Sequence, residues 1–263
     1  NLSDIAAMGG VPQDAFISIG VPNDCRLEFL DALYDGMKQL AQQYDVNILG
    51  GDTTGSKIDL VINIALTGKV EENRVRFRNT ARPGDTIFCT GWLGESRAGL
   101  HLLANRLPID SEDLATLRNA HLRPRPHIEE GRFLASCPGV HAVIDVSDGL
   151  SSDLGHIARE SRVGGRIFSD RIPVSPPLAE FCRRFDFDPL EMALAGGEDF
   201  VLLGTMTAAS AESVARRFRN TFGRPLHCVG EVTALGILEW VDAAGDCRPL
   251  AATGWDHFAP DVS

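Results

Sequence analysis

The 263-residue chain is 44% hydrophobic with 26 Gly and 14 Pro, enough for one large or two modest packed domains and unlike a disordered or collagen-like chain. Its 36 acidic and 25 basic residues give a formal net charge of -11, which argues against a nucleic-acid partner but allows a phosphorylated small molecule held through divalent cations. The six cysteines, at 25, 89, 137, 182, 228 and 247, form no CxxC pair and read as reduced thiols of a cytoplasmic protein, and no membrane span or signal peptide is visible.

The first ten residues, NLSDIAAMGG, predict a short helix that Ser3 or Asp4 could cap and Gly9-Gly10 would end. Residues 14–20 form a candidate strand. In 24–44, Leu27, Leu30, Leu33, Met37, Leu40 and Tyr44 recur at helical spacing, with Asp24 as N-cap. A short apolar run, Val46 to Leu49, leads into Gly50-Gly51-Asp52-Thr53-Thr54. Then Ile58, Leu60, Ile62, Ile64 and Leu66 alternate as in a half-buried strand, so this part is α/β with strands able to pair antiparallel.

Arg82-Pro83-Gly84-Asp85 is a turn and the expected domain boundary, dividing the chain into 1–81 and 82–263. Beyond it the pattern predicts a strand at 86–90, a helix near 96–106, a strand at 141–147, helices at 150–161 and 189–195, a strand at 200–206, a helix at 209–222, and strands near 226–233 and 237–241. No internal repeat stands out.

No GxxxxGK[ST], strand-borne GxGxxG, HExxH or GxSxG motif occurs, so any ATP would be held without the common phosphate cradle. Four oxygen-rich corners remain. In Asp145-Val146-Ser147-Asp148-Gly149, Asp145 and Ser147 share one strand face and Gly149 permits positive φ at a helix start, where ligands gather in α/β folds. Ser147 or Asp148 could instead simply cap that helix. Gly50 to Asp52 offers close backbone approach and a hard oxygen, or only a turn. Asn1 to Asp4 reads on its own as a cap, and Gly196-Gly197-Glu198-Asp199 as a turn. If Asp4, Asp52, Asp145 and Asp148 converge, each pair about 4 Å apart would cost about 4 kcal/mol at an effective dielectric of about 20, so Mg²⁺ between them is the natural remedy.

In order, NLSDIAAMGG-x-P, GGDTT, RPGD with TGWLG, HLRPRP, DVSDGLSSDL, GGEDF and GWDHF resemble the thiamine-monophosphate kinase family from Asn1 to Phe258. Related forms of the first and fifth motifs also occur in aminoimidazole-ribonucleotide synthetase, selenophosphate synthetase and the hydrogenase-maturation dehydratase. The resemblance implies a two-domain α/β (α+β) fold with mixed sheets flanked by helices, a homodimer formed through the N-terminal sheets, and ATP held by several Mg²⁺ ions. It implies Asp4, Asp52, Asp145 and Asp148 as magnesium ligands. Tyr34, Gly51, Asp52, Arg78 and Ser147 would contact the nucleotide, and Glu198 and Trp255 the thiamine portion. It further implies direct in-line transfer to thiamine monophosphate, whose acceptor phosphate is already anionic and needs no strong general base. His121, His127 and His257 stand beside motifs and are assigned no role. The family's usual N-terminal segment, with its Gly-x-Gly-Asp-Asp and Thr-Asp elements, does not precede Asn1, so some magnesium ligands are expected to be missing. A selenophosphate-synthetase-like enzyme and an inactive dimerising fragment are the alternatives.

Overall fold

The computed structural model describes residues 1–251. Its first elements are α1 (Leu2–Ala7), β1 (Val11–Pro22), α2 (Leu27–Gln43), β2 (Asn47–Ser56) and β3 (Val61–Lys69). They build a three-stranded sheet in the order β2-β1-β3. β3 pairs antiparallel with β1, as the alternation predicted, but β2 pairs parallel to it. Because β2 and β3 flank β1, the chain between them must cross over the end of β1. Ile58 therefore belongs to the crossover, 79% exposed, and not to the strand.

Two predicted caps are not made. The N-cap of α1 is Asn1, without a side-chain bond. Arg26, not Asp24, precedes α2, because Cys25 N–H turns back onto the Pro22 carbonyl and delays the helix. The apolar stripe of α2 is present, yet none of the helix residues is fully buried. Met37, Leu40 and Ala41 face Ile17, Ile48 and Ile64 across a cavity of about 220 Å³.

Gly51 is fixed by the sheet itself. A Cβ there would run into the Ile17 carbonyl of the neighbouring strand, at a φ of 159°. We expect Gly51→Ala to lower stability by on the order of 3 kcal/mol through displacement of β2. An unchanged urea midpoint would show that the strands are not so closely apposed.

The rest of the chain forms β4 (Asp85–Cys89), α3 (Glu95–Ala104), α4 (Glu112–Leu122), α5 (Ile128–Ala135), β5 (Val140–Asp145), α6 (Leu150–Ser161), β6 (Gly164–Phe168), α7 (Pro176–Phe185), α8 (Pro189–Ala195), β7 (Leu202–Thr207), α9 (Ala208–Phe222), β8 (His227–Thr233), β9 (Leu238–Val241) and β10 (Cys247–Pro249). Its seven-stranded sheet runs β10-β9-β6-β8-β4-β7-β5, with only β6 and β9 parallel. Both faces are covered. Ile87, Cys89 and Leu203 pack with Leu150, Leu154 and Ile157 of α6. Phe88, Leu202 and Met206 pack on the other side with Leu134 of α5, Phe218 of α9 and Ala6 and Ala7 of α1. A separate helical cluster joins α3, α4, α7 and α8 around Leu102, Leu117 and Phe181.

The packing of α1 against α5 and β5 is the feature that positions the site, because it carries the start of the chain onto the larger sheet. All six cysteines are free thiols, and among the described residues no helix is long and apolar enough to cross a membrane.

Candidate active site

The first corner grows out of β5. Past Asp145 the backbone pairing continues: Phe200 N–H donates to the Val146 carbonyl at 2.9 Å, and Glu198 N–H to the Ser147 carbonyl at 2.8 Å. The Gly-Gly-Glu-Asp corner thus lies directly on the Asp-Val-Ser-Asp-Gly corner. Only glycine fits at 197, since a Cβ there would come within 2.6 Å of the Ser147 carbonyl. Glu198 and Phe200 hold φ of 61° and 50°, left-handed conformations that non-glycine residues adopt at a cost of roughly 1 kcal/mol or more.

Neither Ser147 nor Asp148 caps α6. Gly149 is the N-cap, at a φ of 112°. The carboxylate of Asp153 reaches back instead, and its Oδ2 accepts from the N–H groups of Asp148 and Gly149, both at 3.1 Å. The side chains of Ser147 and Asp148 therefore remain free of capping duty. Sequence reasoning missed Asp153; its one signal was an acidic residue in the first turn of α6.

Onto this corner α1 brings Ser3 and Asp4. Asp145 is 7% exposed and Ser3 4%. Burial raises the Asp145 pKa above the usual carboxylate range and Asp4 adds to the rise, while nearby Ser3 opposes it. The Ser3 hydroxyl is itself buried without a well-formed hydrogen bond. Asp153 is pushed up to about 7, chiefly by burial, with contributions from Asp148 and Asp145. Asp148, Asp153 and His156 each offer a ligand atom, all within 4.8 Å of one another.

The result is a cluster of carboxylates from positions 4, 145, 148 and 153, with an orphaned hydroxyl beside them. Such a set of hard oxygens, in which burial first and neighbouring carboxylates second raise Asp145 and Asp153, fits a hard divalent cation such as Mg²⁺.

Other expected site residues lie elsewhere. Asp52 pairs with Ser18, out of phase with the Ile17–Gly51 pair. Because Ile17 lines the apolar cavity, Asp52 points from the opposite face of the sheet, where it accepts the Thr53 N–H at 2.9 Å. Tyr34 is half-buried on α2. Arg78 pairs with Glu160 at 3.6 Å, near the far end of α6 from Asp148, although its charge acts on His156. Glu198 Oε2 lies 3.4 Å from His121 Nδ1. Trp255 and His257 lie outside the described residues.

Beside the carboxylates a second hollow opens, of about 430 Å³, lined by Trp92, Glu95, Arg123, His127, Asp199 and His227 among others. Asp199 anchors its floor: its two oxygens accept Gly94 N–H at 2.6 Å and Ser96 N–H at 3.2 Å at the start of α3. Desolvation pushes its pKa up to about 7 despite those bonds.

Residues 1–70 match the AIR synthase related protein, N-terminal domain, and residues 82–241 its C-terminal domain. The thiamine-monophosphate kinase of Escherichia coli K12 is 36% identical over 262 residues, covering 98% of this chain and 78% of that protein. That of Bacillus subtilis is 37% identical over 209 residues, covering 79% of this chain and 63% of that protein. A structure described as AaThiL complexed with AMPPCP and TMP superposes with a TM-score of 0.86 at 32% identity, covering 98% of this chain and 77% of that one. Hydrogenase maturation protein HypE of E. coli shares the fold, with a TM-score of 0.80, at 22% identity.

Proposed function

The chain belongs to the thiamine-monophosphate kinase family, and from that membership we propose that it transfers the γ-phosphoryl group of ATP to thiamine monophosphate, giving thiamine diphosphate. The observation that carries this reading is the meeting of Asp4 with Asp145 and Asp148, which lie far from it in the chain, on one corner without a P-loop. Relatives at 36–37% identity are thiamine-monophosphate kinases, whereas HypE shares only the fold, so the selenophosphate-synthetase-like alternative is not favoured.

The carboxylates of Asp4, Asp145 and Asp148 would hold Mg²⁺, with Asp153 behind them fixing the turn. The metal would neutralise phosphate oxygens and align donor and acceptor. Ser147 and the start of α6 then face the nucleotide phosphates. Gly51, Asp52, Tyr34 and Arg78 are proposed for the nucleotide as well. Asp52, on the opposite face of its sheet, joins the metal set only if bound nucleotide wraps the sheet edge. Glu198 and Trp255 are proposed for the thiamine portion. Transfer is in-line with no phosphoenzyme.

We further propose two domains, 1–81 and 82–263, a homodimer through the three-stranded sheets, and a cytoplasmic location in keeping with the free thiols.

The test is direct. With ATP, Mg²⁺ and thiamine monophosphate, ADP and thiamine diphosphate should appear in equal amounts, and a chelator should stop both. ADP release that ignores thiamine monophosphate would overturn the assignment, and a phosphorylated protein trapped during turnover would overturn the in-line route.

A further inference from the structure

The carboxylate of Asp4 reaches the metal corner on a helix that has little hold of its own. α1 is six residues long, has no side-chain N-cap, and buries only Ser3, Ala6 and Ala7. A helix this short is unstable alone, and such small side chains remove little apolar surface from water. Its place therefore depends on close backbone contact and on how its end is tied. The close contact occurs at two glycines. A Cβ on Gly131 of α5 would overlap the Ala6 carbonyl oxygen, and one on Gly9 would overlap Ala135 Cβ.

The end of the helix is tied by Arg132 of α5. Its Nη1 donates to the Gly9 carbonyl at 2.6 Å and to Glu71 Oε2 at 2.7 Å, and its Nη2 donates to Glu71 Oε1 at 2.7 Å. The guanidinium thus pairs with both carboxylate oxygens and still serves a carbonyl just past the C-terminal end of α1, where a cation is favoured. Glu71 follows β3 closely, and Val11 of β1 lies opposite Lys69 of β3. The same arginine therefore stands where the chain enters the three-stranded sheet at β1 and leaves it at β3.

Arg76 closes the other side. Its backbone N–H donates to the Met8 carbonyl at 3.2 Å, and its Nη2 donates to the carbonyls of Ala135 and Cys137 at 2.7 and 3.2 Å. The Glu71–Arg132 pair is partly open to solvent, with side chains 49% and 26% exposed. Hydrogen bonding to Arg132 draws the Glu71 pKa down to about 2, so both charges persist at physiological pH. An ion pair this exposed adds little to global stability, so its two-pronged geometry and the third bond to Gly9 point to placement of the helix.

We propose that Arg132 is a positioning residue for the metal site: by gripping Glu71 and the Gly9 carbonyl it fixes α1 on α5 and holds Asp4 beside Asp145 at the spacing a divalent cation needs. Arg132 acts through the helix and not on the ion itself. The inference rests on the kinase reading for its metal.

The thermal melt is followed as Mg²⁺ is added without nucleotide, and steady-state kinetics are run over the same Mg²⁺ range. Arg132→Met is expected to need about tenfold more Mg²⁺ for half the thermal shift and for half-maximal velocity, with kcat at saturating Mg²⁺ within about twofold of wild type. Its melting curve in chelator should move little. Arg132→Lys, which still has a proton for the Gly9 carbonyl, should recover most of the magnesium midpoint. A residue that only supported the fold would lower the melt in chelator and leave the midpoint in place. That result, or any unchanged midpoint in Arg132→Met, overturns the proposal.

Should Arg132→Met fail to fold, Glu71→Gln answers the same question by removing the charge of a half-exposed partner. A midpoint raised about threefold supports the positioning role, and an unchanged one overturns it. The thermal titration needs no turnover. A wild-type protein that responds to Mg²⁺ but transfers no phosphate would defeat the kinase reading and leave the positioning role standing, whereas a wild type whose melt ignores Mg²⁺ overturns both.

Discussion

Asp145→Asn is expected to reduce kcat by roughly 10²–10³-fold while leaving the protein at least as stable as before. The two halves of this expectation have one cause. Asp145 is buried beside Asp4 with only an imperfectly placed serine to compensate, so its ionised form is disfavoured in the metal-free protein. Replacing it with a neutral isostere removes that penalty. Relief of that penalty should raise Tm in the absence of metal. In the reaction the same charge is needed to hold Mg²⁺ against the phosphates, and asparagine cannot supply it. Steady-state kinetics and a thermal melt in chelator decide the matter. A variant that keeps its activity but melts lower would make Asp145 a structural residue.

Without magnesium, stability should fall as pH rises from about 5 to 7.5, and Mg²⁺ should reverse the fall. Asp153 and Asp199 each have a folded pKa raised to about 7. Between the unfolded value near 4 and that point, the native state binds more protons than the unfolded state. Their contribution is thus complete below about pH 4 and lost as pH climbs through 7. His127, held down to about 4, has the opposite sign: it favours unfolding as pH drops from 6.5 towards 4. Two carboxyl groups against one imidazole leave a net loss, on the order of 5 °C in Tm. Glu71, drawn down to about 2 by its pairing with Arg132, also gains stability with rising pH, but that gain is complete before this window opens. Melting curves at pH 5.0 and 7.5, with chelator and with millimolar Mg²⁺, provide the check. Asp199→Asn should flatten the chelator profile while preserving the response to Mg²⁺. A flat wild-type profile would mean that solvent reaches these carboxyl groups.

How far the site could be read from the sequence depended on how local each feature is. The helix α6 with its Asp-Val-Ser-Asp-Gly entry follows from a strand end, a positive-φ glycine and an apolar stripe, all within a few residues. The parallel pairing of β2 could not be read, because alternation fixes which residues share a face but not which neighbour or direction a strand takes. The capping of α6 was misplaced for a related reason. Ser147 and Asp148 have the right chemistry in the right place, but Asp153, one turn into the helix, reaches the same N–H groups. Asp199 looked like part of a turn, since its partners at 94 and 96 are distant in the chain.

By itself the sequence determined the family, the order of strands and helices around each acidic corner, and the chemistry those corners can offer, because these depend on residue type and short-range spacing. Only the tertiary structure decided which corners meet. The packing of α1 on α5 and β5 sets Asp4 beside Asp145, whereas strand register turns Asp52 to the other face of its sheet. The repulsion between Asp4 and Asp145 arises between side chains brought together from distant positions, so it exists only once the chain is folded.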